Sequence, residues 1–126
     1  METQIVYTIP NTALDCLNAQ FIYEETDLIL KLEYEDEDGM VRSYHIRFIH
    51  AQLFRFENEM HCISITAGAY DGVVELVDSA WAMEINSFEN EYNRHSPWSK
   101  RHFCIYISST GQLNIIADSF TVEVVK

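Results

Sequence analysis

The stretch DLILKLEYEDEDGMVRSYHIRFI, residues 27–49, decides how this chain reads. Leu28, Leu30, Leu32 and Tyr34 alternate with Asp27, Lys31, Glu33 and Glu35, and Tyr44, Ile46 and Phe48 alternate with Ser43, His45 and Arg47. Successive side chains of a strand point to opposite faces, so alternation on both sides of a turn predicts two half-buried strands. A two-residue Asp38-Gly39 turn pairs Leu32 with His45 and sets the apolar rows on opposite faces. A three-residue loop, Glu37-Asp38-Gly39, pairs Leu32 with Tyr44, Leu30 with Ile46 and Leu28 with Phe48. It also puts glycine at the last loop position, where the backbone takes positive φ. The longer loop is therefore predicted.

The same design recurs near the C-terminus. Phe103, Ile105 and Ile107 precede Ser109-Thr110-Gly111, and Leu113, Ile115 and Ala117 follow it. A loop of those three residues aligns the apolar rows and sets Asp118 opposite His102. The other face, with Cys104, Tyr106 and Ile116, is apolar too, so this hairpin is expected to be covered on both sides. The chain is expected to bend near Asp118 and run on through Phe120, Val122 and Val124. Further strands are predicted at Ile5 to Ile9, Gln20 to Tyr23, Gln52 to Phe56, Cys62 to Thr66 and Val73 to Val77, with a short helical turn at Thr12 to Leu17. Asp78-Ser79 offers a helix N-cap, and Trp81, Ile85, Phe88 and Tyr92 follow at helical spacing. Asn93 to Ser99, with Pro97, reads as a loop. The expected fold class is α+β: a mainly antiparallel β-sheet, sandwich or partly open barrel, with one main helix near residues 78–92.

A chain of 126 residues is expected to form a single domain over residues 1–126 with a core of its own. Hydrophobic residues make up 48%, too many for a disordered acidic tail. Neither a basic N-terminus followed by an apolar run nor a bilayer-length apolar stretch is present. The three cysteines, Cys16, Cys62 and Cys104, sit at wide spacings within apolar strings. They read as free core thiols and point to a cytoplasmic location.

Charge limits the partners. Twenty acids face eight Lys and Arg, for a net charge of -12. Such a surface repels nucleic acid and anionic membrane and attracts basic proteins. Neither a nucleic acid nor a membrane is therefore expected as partner, and oligomeric state is left open. Eight acids fall between Glu24 and Asp38, and eight more between Glu57 and Glu91, where no Lys or Arg occurs. Two readings stand: a solvated surface that keeps the protein soluble, or a face that steers a basic protein partner. For the second, the preferred contacts are Glu35, Asp36, Glu37 and Asp38, followed by Glu84, Glu89 and Glu91. The run from Asp36 to Gly39 lacks the ligand spacing of a calcium loop, and no metal or cofactor is expected.

Catalytic signatures are sparse. The histidines are His45, His50, His61, His95 and His102; none pairs at zincin spacing, and there is no CxxC. No P-loop, dinucleotide fingerprint or G-x-S-x-G occurs. The one pair to weigh is His102 with Asp118, which the predicted register places opposite each other. It reads either as a cross-strand hydrogen bond or as an oriented imidazole. Trp81 reads as a core anchor, and Trp98, after Pro97 and before Lys100 and Arg101, as a candidate interaction residue.

The segments Asp78-Ser79-Ala80-Trp81 and Arg101-His102-Phe103-Cys104-Ile105-Tyr106, with Ile115-Ile116-Ala117-Asp118-Ser119-Phe120, resemble a group of small bacterial proteins. Similar acidic proteins serve as immunity proteins that neutralise toxins of neighbouring bacteria. The resemblance implies a bacterial cytoplasmic protein and carries no catalytic residues. Together with the charge it gives one expectation, a non-enzymatic protein whose carboxylates occlude a basic, nuclease-type toxin. The alternative is a small ligand-binding or hydrolytic β-rich protein with a pocket near His102 and Asp118.

Overall fold

The computed structural model describes residues 2–10, 12 and 15–125. Its strands are β1 (Thr3–Thr8), β2 (Asn18–Glu24), β3 (Asp27–Glu35), β4 (Val41–Ile49), β5 (Leu53–Asn58), β6 (Gly72–Leu76), β7 (Arg101–Ile107), β8 (Gly111–Ala117) and β9 (Ser119–Val125). One α-helix, α1 (Ala80–Glu91), lies between β6 and β7. The strands form two antiparallel sheets, in the orders β1-β6-β7-β8-β5 and β2-β3-β4-β9. The two pack face to face as a sandwich, the expected α+β class in the first of its two expected forms.

The alternation of residues 27–49 builds one wall of the core. Leu28 pairs with Phe48, Leu30 with Ile46 and Leu32 with Tyr44, the register that the three-residue loop requires. Gly39 takes φ +79 at the end of that loop. These side chains are buried against Phe103, Ile105, Ile107, Leu113, Ile115 and Ala117 of the other sheet. Each large one contributes about 1.5–3 kcal/mol by leaving water. A hydrogen bond also crosses between the layers: Tyr34 Oη donates to Asp71 Oδ1 at 2.6 Å, with both residues buried.

The second hairpin departs from expectation by two residues. Ile107 pairs with Gly111, Ile105 with Leu113 and His102 with Ile116, so the loop is Ser108–Thr110. Ser108 is buried, its N–H donating to Asp71 Oδ1 at 2.9 Å, and Ser109 and Gly111 both take positive φ, +58 and +151. Gly111 keeps a positive φ but lies just past the loop, and it serves a second purpose as well. A Cβ there would lie 2.2 Å from the Glu57 carbonyl oxygen, because β5 passes directly against it. The apolar rows still align, since a shift of two residues preserves the face of every side chain.

As expected, β7 and β8 are covered on both sides. Val74, Cys104 and Tyr106, on the outer face, are buried with Ala69. The chain bends at Asp118 and continues as β9 in the other sheet. Residues 62–66 form no strand, contrary to expectation. A 3-10 turn, Glu59–His61, is followed by irregular chain that one side chain, Gln112, bonds at two backbone groups. The Thr66 N–H donates to Gln112 Oε1 and Gln112 Nε2 donates to the Ser64 carbonyl, in place of a strand partner. The short helical turn expected at Thr12 to Leu17 lies partly outside the described residues; Thr12 itself forms an antiparallel bridge with Asp36.

At one flank the edge strands β2 and β5 meet through side chains. Phe21 packs on Phe56 with ring centroids 5.0 Å apart, and Tyr23 on Phe54 at 5.7 Å. All four rings remain partly exposed.

Candidate functional site

The hairpin tip separates its four acids into two roles. Asp36 is 6% exposed and holds its own turn together. Its Oδ1 accepts the N–H groups of Asp38 and Met40, and its Oδ2 accepts Arg42 Nε at 2.6 Å. The Arg42 hydrogen bond, aided by those N–H groups, keeps the Asp36 carboxyl below the usual range. Asp36 is therefore engaged inside the protein, by its own turn and by Arg42. Glu37 and Asp38 are exposed and Glu35 is half-buried. None of the three makes an ion pair among the described residues.

Helix α1 begins where the sequence indicates. Ser79 is the N-cap, its Oγ accepting the Ala82 N–H at 3.0 Å. Glu84 and Glu91 project into solvent, as a contact role requires. Glu89 does not. Its Oε2 meets Lys100 Nζ at 2.8 Å with both side chains largely buried, and its Oε1 accepts the Ser96 N–H. Those contacts, Lys100 foremost, hold its carboxyl below the usual range and pin the 93–99 loop to the helix. Glu89, like Asp36, is engaged within the protein.

Trp81, Ile85 and Phe88, the apolar face of α1, line a groove instead of sinking fully into the sheet. The groove has a volume of about 820 Å³ and is lined also by Leu53, Tyr23, Trp98 and Glu84. Trp98 is half-buried, stacked on His50 at 4.3 Å between centroids and 11° between planes. This stack joins the loop after α1 to the corner between β4 and β5.

His102 and Asp118 do not pair. With the register moved by two residues, His102 Nδ1 lies 2.7 Å from Ser79 Oγ and its Nε2 lies 2.7 Å from Asn114 Oδ1. Asp118 turns to the corner instead, where Oδ2 is 3.4 Å from His50 Nδ1 and Oδ1 accepts the Ser99 N–H. Ser79, His102 and Asn114 are all buried, and they border a cavity of about 360 Å³ that also touches Arg55, Thr66, Trp81 and Gln112. The Trp81 ring stands edge-on to His102, and Arg55 lies over the Trp81 face. Burial is the main cause holding the His102 imidazole below its ordinary pKa, against the Asn114 hydrogen bond, so at neutral pH it is uncharged.

Sequence reasoning found two of these three residues, each in another role: Ser79 as a cap and His102 as a partner of Asp118. It passed over Asn114. The available signal was polarity, since Gln112 and Asn114 are amides on the outer face of a hairpin otherwise read as apolar on both sides. The remaining histidines are separate: His61 bonds Asn58 in the 3-10 turn, His45 lies on β4, and His95 borders the groove. Among the described residues, no group of three His, Cys, Asp or Glu could hold a metal ion. Nor is any helix among them long and apolar enough to cross a membrane. No protein-family model matches the chain, and neither a curated protein nor a solved structure matches it.

Proposed function

We propose that this chain is an acidic cytoplasmic binding protein that occludes a basic protein partner, in the manner of an immunity protein against a nuclease-type toxin. The observation that carries this reading is the state of the hairpin tip. Arg42, the cation nearest in sequence, is taken up by the internal Asp36, and Glu35, Glu37 and Asp38 are left to face outward. A partner whose Lys and Arg hold phosphate offers the complementary charge. Glu84 and Glu91 extend the acidic surface onto α1, and the groove floor of Trp81, Ile85 and Phe88 supplies apolar contact area beside Glu84. With a net charge of -12, long-range attraction speeds encounter before any contact forms.

The test starts from the gene immediately upstream, which this reading expects to encode a large secreted protein ending in a variable, basic nuclease domain. Mixed with that domain, the purified chain is expected to inhibit nucleic-acid cleavage. Glu37→Lys combined with Asp38→Lys is expected to slow association about 10- to 100-fold at low salt. The difference should shrink at 1 M salt, where screening acts within about 3 Å. Asp36 is left intact, because replacing it would disturb the turn as well as the charge. Unchanged association of the double variant at low salt overturns the reading.

A further inference from the structure

We propose that Ser79, His102 and Asn114 form a nucleophilic site that hydrolyses small carboxylic esters through an acyl-serine intermediate. The three side chains come from different elements: Ser79 from the start of α1, His102 from β7 and Asn114 from β8. Their hydrogen bonds run in one direction. Asn114 Oδ1 can only accept, so His102 carries its proton on Nε2. The Nδ1 lone pair then accepts from Ser79 Oγ–H at 2.7 Å. That is the arrangement a general base needs to take a hydroxyl proton, with the amide fixing the tautomer as a third member of the relay. The uncharged state of His102 at neutral pH leaves Nδ1 free to act so.

Helix capping accounts for only part of the arrangement. A cap needs one oxygen acceptor, which Ser79 Oγ already gives to Ala82. It has no use for a buried imidazole and a buried amide behind that oxygen. The helix start contributes further. The first intrahelical bonds run from Ala82 to Ser79 Oγ and from Met83 to the Ser79 carbonyl, so the N–H groups of Ala80 and Trp81 have no helical acceptor. Both residues border the cavity, where such donors suit the oxygen of a tetrahedral intermediate. A volume of about 360 Å³ admits a small acyl group.

The reaction balances with water as the only co-reactant. Ser79 Oγ attacks the ester carbonyl carbon while its proton passes to His102 Nδ1. The tetrahedral intermediate collapses, the carbon–oxygen bond to the alcohol breaks, and that oxygen takes the proton from Nδ1. Water then attacks the acyl-serine, giving its proton to His102. The acid departs as Ser79 Oγ recovers the proton. None of the hairpin-tip residues takes part, so the proposal stands independently of the binding role.

The full chain should be treated with a fluorophosphonate probe, which captures serine nucleophiles, and the adduct mapped by peptide mass spectrometry. In parallel, p-nitrophenyl acetate hydrolysis is followed for wild type, Ser79→Asp and His102→Gln. Aspartate retains a cap acceptor, so the helix start survives without a nucleophile. The expected result is a single adduct on Ser79 and hydrolysis that Ser79→Asp reduces to the buffer rate. His102→Gln is expected to lower hydrolysis about 100-fold or more, and hydrolysis in wild type should rise with pH as His102 loses its proton. No adduct on Ser79 overturns the proposal, as does equal hydrolysis by wild type and Ser79→Asp. The adduct is read on the unaltered protein, so the result does not depend on any variant folding.

Discussion

Replacing Tyr34 by Phe removes one oxygen atom from the interior and should cost about 2 kcal/mol. Tyr34 sits on β3 of the four-stranded sheet, and Asp71 leads into β6 of the five-stranded one. Without the hydroxyl, Asp71 Oδ1 keeps only the Ser108 N–H, at 2.9 Å, in a site that is 8% exposed. Losing a hydrogen bond to a charged, buried group costs about 1.5–3 kcal/mol. Two kcal/mol is about a 30-fold loss in the folding equilibrium and, for a chain of this length, about 8 °C in Tm. Urea unfolding followed by tryptophan fluorescence measures it. Tyr44→Phe is the control, because its hydroxyl makes no hydrogen bond among the described residues. A double-mutant cycle with Asp71→Asn should return a coupling of about 1–2 kcal/mol. Burial, with the Asp71 carboxylate second, pushes the Tyr34 phenol well above its ordinary value. The folded state therefore holds that proton more tightly than the unfolded state does. Its contribution is full below about pH 10 and is lost as pH rises beyond it, and Tyr34→Phe should flatten that alkaline decline. If Tyr34→Phe and Tyr44→Phe differ by less than about 0.5 kcal/mol, the bond between the layers is not holding them as argued.

Three further outcomes are expected. Asp36→Asn should lower the urea midpoint, whereas Asp38→Asn and Glu37→Gln should leave it in place; the depressed carboxyls of Asp36 and Glu89 stabilise above about pH 4, and that stability is lost as pH falls through their lower folded values. Cys104, buried and with its thiol pushed up to about 11 mainly by burial, should resist a thiol reagent at pH 8 until the protein unfolds, as counted by intact mass. Gly111→Ala should destabilise by more than about 3 kcal/mol, because its Cβ and the Glu57 carbonyl cannot share the same space, and an unchanged thermal midpoint would contradict that geometry.

What could be read from the sequence follows from how local each determinant is. The hairpin of residues 27–49 was legible to the residue because period two and one glycine at a loop end both act within it. Gly111 misled as to register because glycine answers two needs, positive φ and close approach, and here it meets both. The second need comes from β5, more than fifty residues earlier in the chain. Cys62 to Thr66 alternates as a strand does, yet it pairs with no strand, and the Gln112 amide bonds the Thr66 N–H and the Ser64 carbonyl instead. Asp36 could have been distinguished from its acidic neighbours, since a carboxylate at the start of a tight turn commonly caps the N–H two residues on. Glu89 could not, because Lys100 reaches it only once the loop folds back. Ser79, His102 and Asn114 share no spacing and are joined by packing alone. The acidic composition was legible throughout, but which acids stay free was not.

The corner where the chain changes sheets determines how the sandwich can open. The crossing from β4 to β5 and the crossing from β8 to β9 are bonded to each other: the Asp118 N–H donates to the Ile49 carbonyl at 2.9 Å and the Gln52 N–H to the Ile116 carbonyl at 2.8 Å. At this corner the layers are joined by two continuous lengths of chain laced together by backbone. Away from it, at Phe21 and Phe56, β2 and β5 are held by ring contact alone. Breathing of the molecule therefore has a direction, parting first along the aromatic flank and last at the laced corner. Solvent exchange of the Gln52 and Asp118 amides then belongs to the slowest, most global opening of the chain.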